Sequence, residues 1–458
     1  MSLSAHLSST ARDIYEAIRS DPIVSPHGHC DPAWFATNQR FSDPAGLIVT
    51  PDHYLFRMLY SRGIALKDLG LGNPANPPAP RDVFRIFAAN WHLFLGTPSH
   101  VWLDHTFRHV FGIDEPLNRA TSDRIYDAIE AALDTPQFRP RALYQRFGIE
   151  VLATTDAACD DLASHSAIAA SEWPGRIIPT FRPDGVLNPA HPEFARDVRA
   201  MIKAWGGDPA QFGDYLEALR HRRAAFRALG AKASDHAIEA PVTHWLEADQ
   251  IAGLYARALK GRLKPGEAPL FYGHMLVEMA QMSVEDGLVM QLHAGARRNT
   301  NTEVYEQFGP DMGADIPVAT QWVTGLEPML NRVGNNPAFR LIAFTLDETT
   351  YARELAPMAG HWPCLLIGPP WWFHDSQAGI ARYFDQVVET AGYWNLAGFN
   401  DDTRAFMSIP ARHDVWRLGV ATHLAGQVDR GVFGIADAAR VAKHLSTGAA
   451  RQAYRLDI

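Results

Sequence analysis

An α/β fold of the (β/α)8 barrel type, carrying helical insertions, is the class this chain predicts. Three observations point to it: eight short apolar or β-branched runs recur along 458 residues, helical patterns alternate with them, and most runs end in polar residues. The runs are Ile23 to Pro26, Ile149 to Thr155, Arg176 to Phe181, a weak one at Gly230 to Ala237, Leu288 to Ala294, Leu341 to Asp347, Pro363 to Gly368 and Trp394 to Asp401. Between them, Asp197 to Trp205, Phe212 to Leu229, Leu270 to Asp286 and Ser376 to Ala391 carry apolar residues at helical spacing. Strand and helix in alternation imply a parallel sheet wrapped by helices, and eight such units close into a barrel.

Two spacings exceed the roughly 30 residues of a plain unit: about 120 residues lie between the first two runs, and about 50 separate the third, fourth and fifth from one another. The excess reads as helical insertions in one domain spanning 1–458, the largest being a helical subdomain at 31–147. It holds a loop-like stretch, Pro74 to Pro80, followed by aromatic-rich helical patterns from Phe84 to Phe111.

Composition narrows the function classes. A chain 47% hydrophobic and 20% charged is that of a globular protein with a large core, and its net charge of −9 argues against a nucleic-acid surface. The three cysteines, Cys30, Cys159 and Cys364, form no CxxC pair, so neither a disulfide framework nor a cysteine zinc cluster is expected. Met1 to Arg19 is amphipathic without a signal-peptide h-region, and no later stretch is apolar enough to span a bilayer. A cytoplasmic protein with no membrane or nucleic-acid partner is expected, and a homo-oligomer is compatible with the sequence.

The first run leads into His27-Gly28-His29, a pair whose imidazoles leave one face if the strand continues through them. Twenty histidines in 458 positions produce about one H-x-H match by chance, so the motif alone is weak. Its position at a strand end, on the rim where barrels of this type carry their sites, is what raises it. Asp402, at the end of the eighth run, supplies the carboxylate that completes a divalent-metal site, and Arg404 could orient it or bind an anionic substrate. Cys30 points away from the pair on the same alternation. A second pair, His105 and His109, has i,i+4 spacing but lacks the glutamate of H-E-x-x-H, and reads as a packed or solvated helix face.

Other strand ends converge as well, with Thr154, Thr155 and Asp156, Arg182 and Asp184, Asp235 and His236, Gln291 and His293, and Trp371 and Trp372. The dinucleotide, P-loop and serine-hydrolase motifs are absent, which leaves a metal enzyme without an organic cofactor.

These segments together resemble the uronate isomerase (glucuronate isomerase) family of the amidohydrolase superfamily. The resemblance rests on His27-Gly-His29, Asp52-His53-Tyr54, Ala153-Thr-Thr-Asp156, Phe181-Arg182-Pro-Asp184, Ser234-Asp235-His236-Ala237, His293-Ala-Gly-Ala-Arg297-Arg-Asn299, Gly368-Pro-Pro-Trp371-Trp372-Phe373 and Asp402-Thr-Arg404. It implies a divalent ion, usually zinc, on His27, His29 and Asp402. It also implies catalytic or proton-transfer roles for Asp402, Tyr54, His293 and Arg404. Substrate-binding roles are expected for His53, Arg182, Arg297, Trp371, Trp372, Asp235 and His236. The implied reaction interconverts an aldose-type uronate with its 2-keto isomer through a cis-enediol: D-glucuronate with D-fructuronate, or D-galacturonate with D-tagaturonate. The partner is then a small sugar acid. Two rivals share the fold: a metal-dependent hydrolase of a lactone or amide, and a carbohydrate-binding protein without turnover.

Overall fold

The computed structural model describes residues 6–72 and 75–456; the first five residues of the amphipathic N-terminus, and Pro74 of the expected loop, lie outside them. Seven barrel strands form ladders: β1 (Ile23–Ser25), β2 (Ile149–Ala153, resumed at Asp156–Ala157), β3 (Ile177–Ile178, resumed at Phe181–Arg182), β4 (Ala233–Ile238), β5 (Val289–Ala294), β6 (Leu341–Thr345) and β7 (Leu365–Ile367). All pair in parallel and in chain order.

The interruptions in β2 and β3 are local. Leu152 faces Ile177 and Asp156 faces Phe181 at the same offset, and main-chain bonds from Thr154 to Ile178 and from Asp156 to Thr180 carry the ladder across the gap. The eighth run opens in a turn at Trp394 and Asn395 and, among the described residues, makes a single bridge, Leu396 with Ile367, so its expected full strand shrinks to one pairing. Contact with the loop that follows β1 comes later, where the His29 N–H donates to the Thr403 carbonyl over 3.0 Å. Strand β1 is also shorter than expected: it stops at Ser25, and His27 and His29 stand on the extended loop beyond it.

Period-two alternation sorts the strand side chains. Val24, Val151, Ala153, Ile178, Ala233, Val289, Ile342 and Phe344 fill the barrel interior, joined by Ala450, Ala453, Tyr454 and Leu456 from the C-terminal segment. The opposite parity packs against the outer helices, among them Phe194–Trp205, Phe212–Ala228, Glu267–Asp286 and Gln377–Ala391, each close to its expected range.

Between β1 and β2 the described residues form seven α-helices with their own aromatic core. Several start with proline in the first turn, where its missing N–H costs nothing. This core is continuous with the barrel wall through Ile23, Ile149, Leu152 and Ile177. Among the described residues, no helix is long and apolar enough to cross a membrane.

Candidate active site

A cavity of about 620 Å³ opens at the C-terminal ends of the barrel strands. His27, buried, and His29, a quarter exposed, both direct Nε2 at one oxygen of Asp402, at 3.4 and 3.0 Å from Oδ1. The ligating atoms of this trio all lie within 4.8 Å of one another. The two imidazoles meet edge to face at 5.3 Å, so their nitrogens converge although the strand ends before them.

Asp402 adopts φ +40, a left-handed backbone that costs a non-glycine residue on the order of 1–3 kcal/mol and recurs where function over-determines conformation. Burial would raise its pKa, but the two imidazoles hold it well below the carboxylate range. Burial lowers His29 below the ordinary imidazole value. A carboxylate held ionised beside a neutral imidazole has the protonation state that metal ligation needs. Burial also pulls on His27, but the flanking Asp402 and Asp235 carboxylates outweigh it and raise its pKa, so the pocket draws positive charge to this point. The donor chemistry therefore fits a divalent cation held by two nitrogens and one oxygen.

Across the mouth, β5 and β4 supply a second arrangement. The ring of His293 stacks on that of His27 at 4.7 Å, and its Nδ1 lies 2.6 Å from Asp235 Oδ1. Asp235 also faces Arg182 Nη1 at 3.5 Å, and after burial is overcome by His293 and Arg182 its pKa falls below the usual range. His293 Nε2, Tyr54 Oη and Trp371 Nε1 are buried polar atoms without a hydrogen-bond partner among the described residues. Since such groups are nearly always satisfied in folded proteins, three of them on one cavity mark a binding surface.

Of the thirteen residues given a metal, catalytic or substrate role from the sequence, eleven line this cavity: His27, His29, His53, Tyr54, Arg182, Asp235, His293, Trp371, Trp372, Asp402 and Arg404. Two do not. His236 is buried at the opposite parity to Asp235, near Ser234, so β4 turns it away from the mouth. Arg297 sits in a short antiparallel ladder, Ala296–Arg297 with Ile316–Pro317, and is exposed; its neighbour Arg298 lines the cavity instead, 2.8 Å from Asp315 and over the Trp372 ring.

Arg412 was missed by sequence reasoning. It is a buried guanidinium from the helix Ile409–Asp429 that lines the cavity and lies 3.6 Å from the Trp102 ring centroid. No motif surrounds it; the only signal was an arginine in a helix whose neighbours are mostly apolar. Asp311, paired with Arg404 at 2.8 Å, was missed as well.

A family model for glucuronate isomerase matches residues 4–449. A uronate isomerase of Nostoc punctiforme is 48% identical over 98% of this chain and 95% of its own, and one of Rhizorhabdus wittichii is 49% identical over 97% and 95%. The crystal structure of glucuronate isomerase from Caulobacter crescentus superposes with a TM-score of 0.96 at 47% identity, covering 98% of this chain and 94% of that one. That of uronate isomerase from Thermotoga maritima gives 0.92 at 25% identity, covering 98% of each. The fold is thus the expected barrel, the isomerase reading prevails over the hydrolase, and this chain belongs to the glucuronate isomerase family.

Proposed function

We propose that this isomerase interconverts an aldose-type uronic acid, D-glucuronate or D-galacturonate, with its 2-keto isomer by proton transfer through a cis-enediol. The observation that carries the reading is the convergence of the His27–His29–Asp402 trio with the unpartnered Tyr54 Oη and His293 Nε2 in one cavity.

His27, His29 and Asp402 would hold a divalent cation, proposed as Zn2+ on the resemblance to the family, and the ion when bound would polarise the oxygens of the substrate. Both imidazoles engage Oδ1 of Asp402, so Oδ2 has the capacity to take the C2 proton and return it to C1 on the same face. Tyr54, whose pKa burial pushes well above its ordinary value, stays protonated and acts as donor to the oxygen that gains charge in the enediol. His293 is oriented by Asp235 and presents Nε2 to the substrate, where it serves ring opening. Arg404 and Arg182, with Arg298 in the role expected of Arg297, form the cationic side that binds the sugar carboxylate, and His53, Trp371 and Trp372 shape the wall.

The insertion at 31–147 works as part of one domain spanning 1–458, because its core is shared with β1 to β3. The cytoplasm is the proposed compartment, in keeping with three unpaired cysteines.

Incubation of the protein with each uronate in D2O, followed by proton NMR, tests the reading. A ketose product with deuterium exchange at C2 is expected. Uronates left unchanged, while a lactone panel releases acid, would replace the isomerase by the hydrolase.

A further inference from the structure

The Asp402 carboxylate stands on a left-handed backbone between two residues that are both gripped, one from each side. We propose that Asp401 and His413, with the guanidinium of Arg412, form a clamp that positions the Asp402 carboxylate; the inference rests on the metal-ligand reading above.

Asp401 and His413 are almost fully buried, at 1% and 2% exposure, and neither lines the cavity, so neither touches substrate. His413 Nε2 lies 3.1 Å from Asp401 Oδ2, and its ring is held edge-on to Phe399 at 4.9 Å. The adjacent Arg412 donates Nη1–H to the Asp401 carbonyl at 3.2 Å and to Asp375 Oδ2 at 3.1 Å, while its Nε–H donates to Ser408 Oγ at 3.2 Å. Two consecutive residues of one long helix thus hold a single residue through its carboxylate and its carbonyl.

That double hold fixes the rotation of the peptide plane between Asp401 and Asp402, which free rotation about one contact would not. On the other side, the Thr403 carbonyl accepts from the His29 N–H at 3.0 Å. The histidine loop and the helix therefore fix the two flanks of Asp402, and the strained residue between them presents its side chain to both imidazoles. Groups that orient metal ligands from behind typically change affinity or activity by about 10- to 100-fold when removed.

The test uses His413→Leu and His413→Gln in the full chain, with Zn2+ affinity measured by competition against a chromophoric chelator and the visible spectrum of the Co2+ form recorded. Expected for His413→Leu is a loss in Zn2+ affinity of about tenfold, an altered Co2+ spectrum and a lower kcat at unchanged KM. His413→Gln, which can still donate to Asp401, should recover most of the affinity. A folded His413→Leu protein with parental Zn2+ affinity and Co2+ spectrum overturns the clamp. Should His413→Leu not fold, Asp401→Ala, which removes the acceptor of the His413 hydrogen bond, carries the decision by the same two readouts, loss of affinity supporting the clamp and parental affinity rejecting it. Asp402→Asn is the control: if it binds Zn2+ like the parent, the ligand reading falls and the clamp with it. If its affinity collapses while the His413 and Asp401 variants stay parental, only the clamp is lost.

Discussion

The barrel mouth and the helical insertion each bring two histidines close together, with opposite results. At the mouth, His27 and His29 aim their Nε2 atoms at one oxygen of Asp402. In the insertion the rings of His105 and His109 are closer, 4.4 Å apart, yet His105 reaches Asp414 at 3.5 Å, that carboxylate already accepts the Tyr15 hydroxyl, and His109 is exposed. The i,i+4 spacing of a helix makes neighbours; it does not make a site, which needs a third group brought in from a distant segment. The regions differ equally in what they tolerate. The mouth sets the left-handed Asp402 and the unpartnered His293 Nε2 on an open cavity, whereas the insertion buries Phe84, Phe87 and Phe94 completely in an aromatic core.

The largest effect that sharpens this contrast is expected from Asp402→Asn. Removing the proton acceptor should lower kcat by about 10²- to 10⁴-fold, while Tm stays near the parental value because asparagine tolerates the left-handed backbone. Steady-state isomerisation and calorimetry measure the two, and near-parental turnover in the folded variant would reject the shuttle role.

Phe87→Ala should do the reverse. Its cavity in the insertion core is expected to cost about 3–5 kcal/mol in denaturant unfolding while the folded fraction keeps its KM. A change confined to activity would show that the insertion acts on the site rather than on stability.

Arg404→Ala comes next, with KM for the uronate rising about tenfold or more, the scale of one charged hydrogen bond, and kcat changing less. An unchanged KM would remove Arg404 from the carboxylate clamp.

A smaller effect lies in pH dependence. Burial pushes the Asp156 carboxyl up to about 7. Folded protein then binds more protons than unfolded protein between the ordinary carboxylate value and that point, so stability on this account falls as pH rises through the interval. Asp156→Asn should flatten the slope of Tm between pH 5 and 8, and an unaltered slope would place the ionisation elsewhere.

Smallest of all is His109→Ala, expected to leave stability within about 0.5 kcal/mol and Zn2+ affinity at the parental value. Loss of Zn2+ binding there would erase the distinction between the two pairs.

Much of this was legible along the chain. The helices Phe212–Ala228 and Gln377–Ala391 lie within a residue or so of their apolar periodicity, since such patterns depend on local geometry alone. Asp235 and His293 were found by their place at strand ends. The departures came where facing was decided by pairing: Arg298 lines the cavity and Arg297 does not because a two-residue antiparallel ladder with a distant segment decides which neighbour faces inward, and His236 is turned out by the alternation that turns Asp235 in. For the same reason the strand continuing through His27 and His29 proved unnecessary, because a loop brings both rings to the same point.

By itself the sequence determined the barrel class, the order of its elements and the histidine pair with its carboxylate, because apolar periodicity and strand-end polarity are written in neighbouring residues. Only the tertiary structure decided that Arg412 reaches the cavity and that residues 401 and 403 are held on either side of Asp402. The contacts of Thr403 with His29 and of Arg412 with Trp102 join segments hundreds of positions apart, and even the nearby grip of Arg412 and His413 on Asp401 depends on where barrel closure sets their helix.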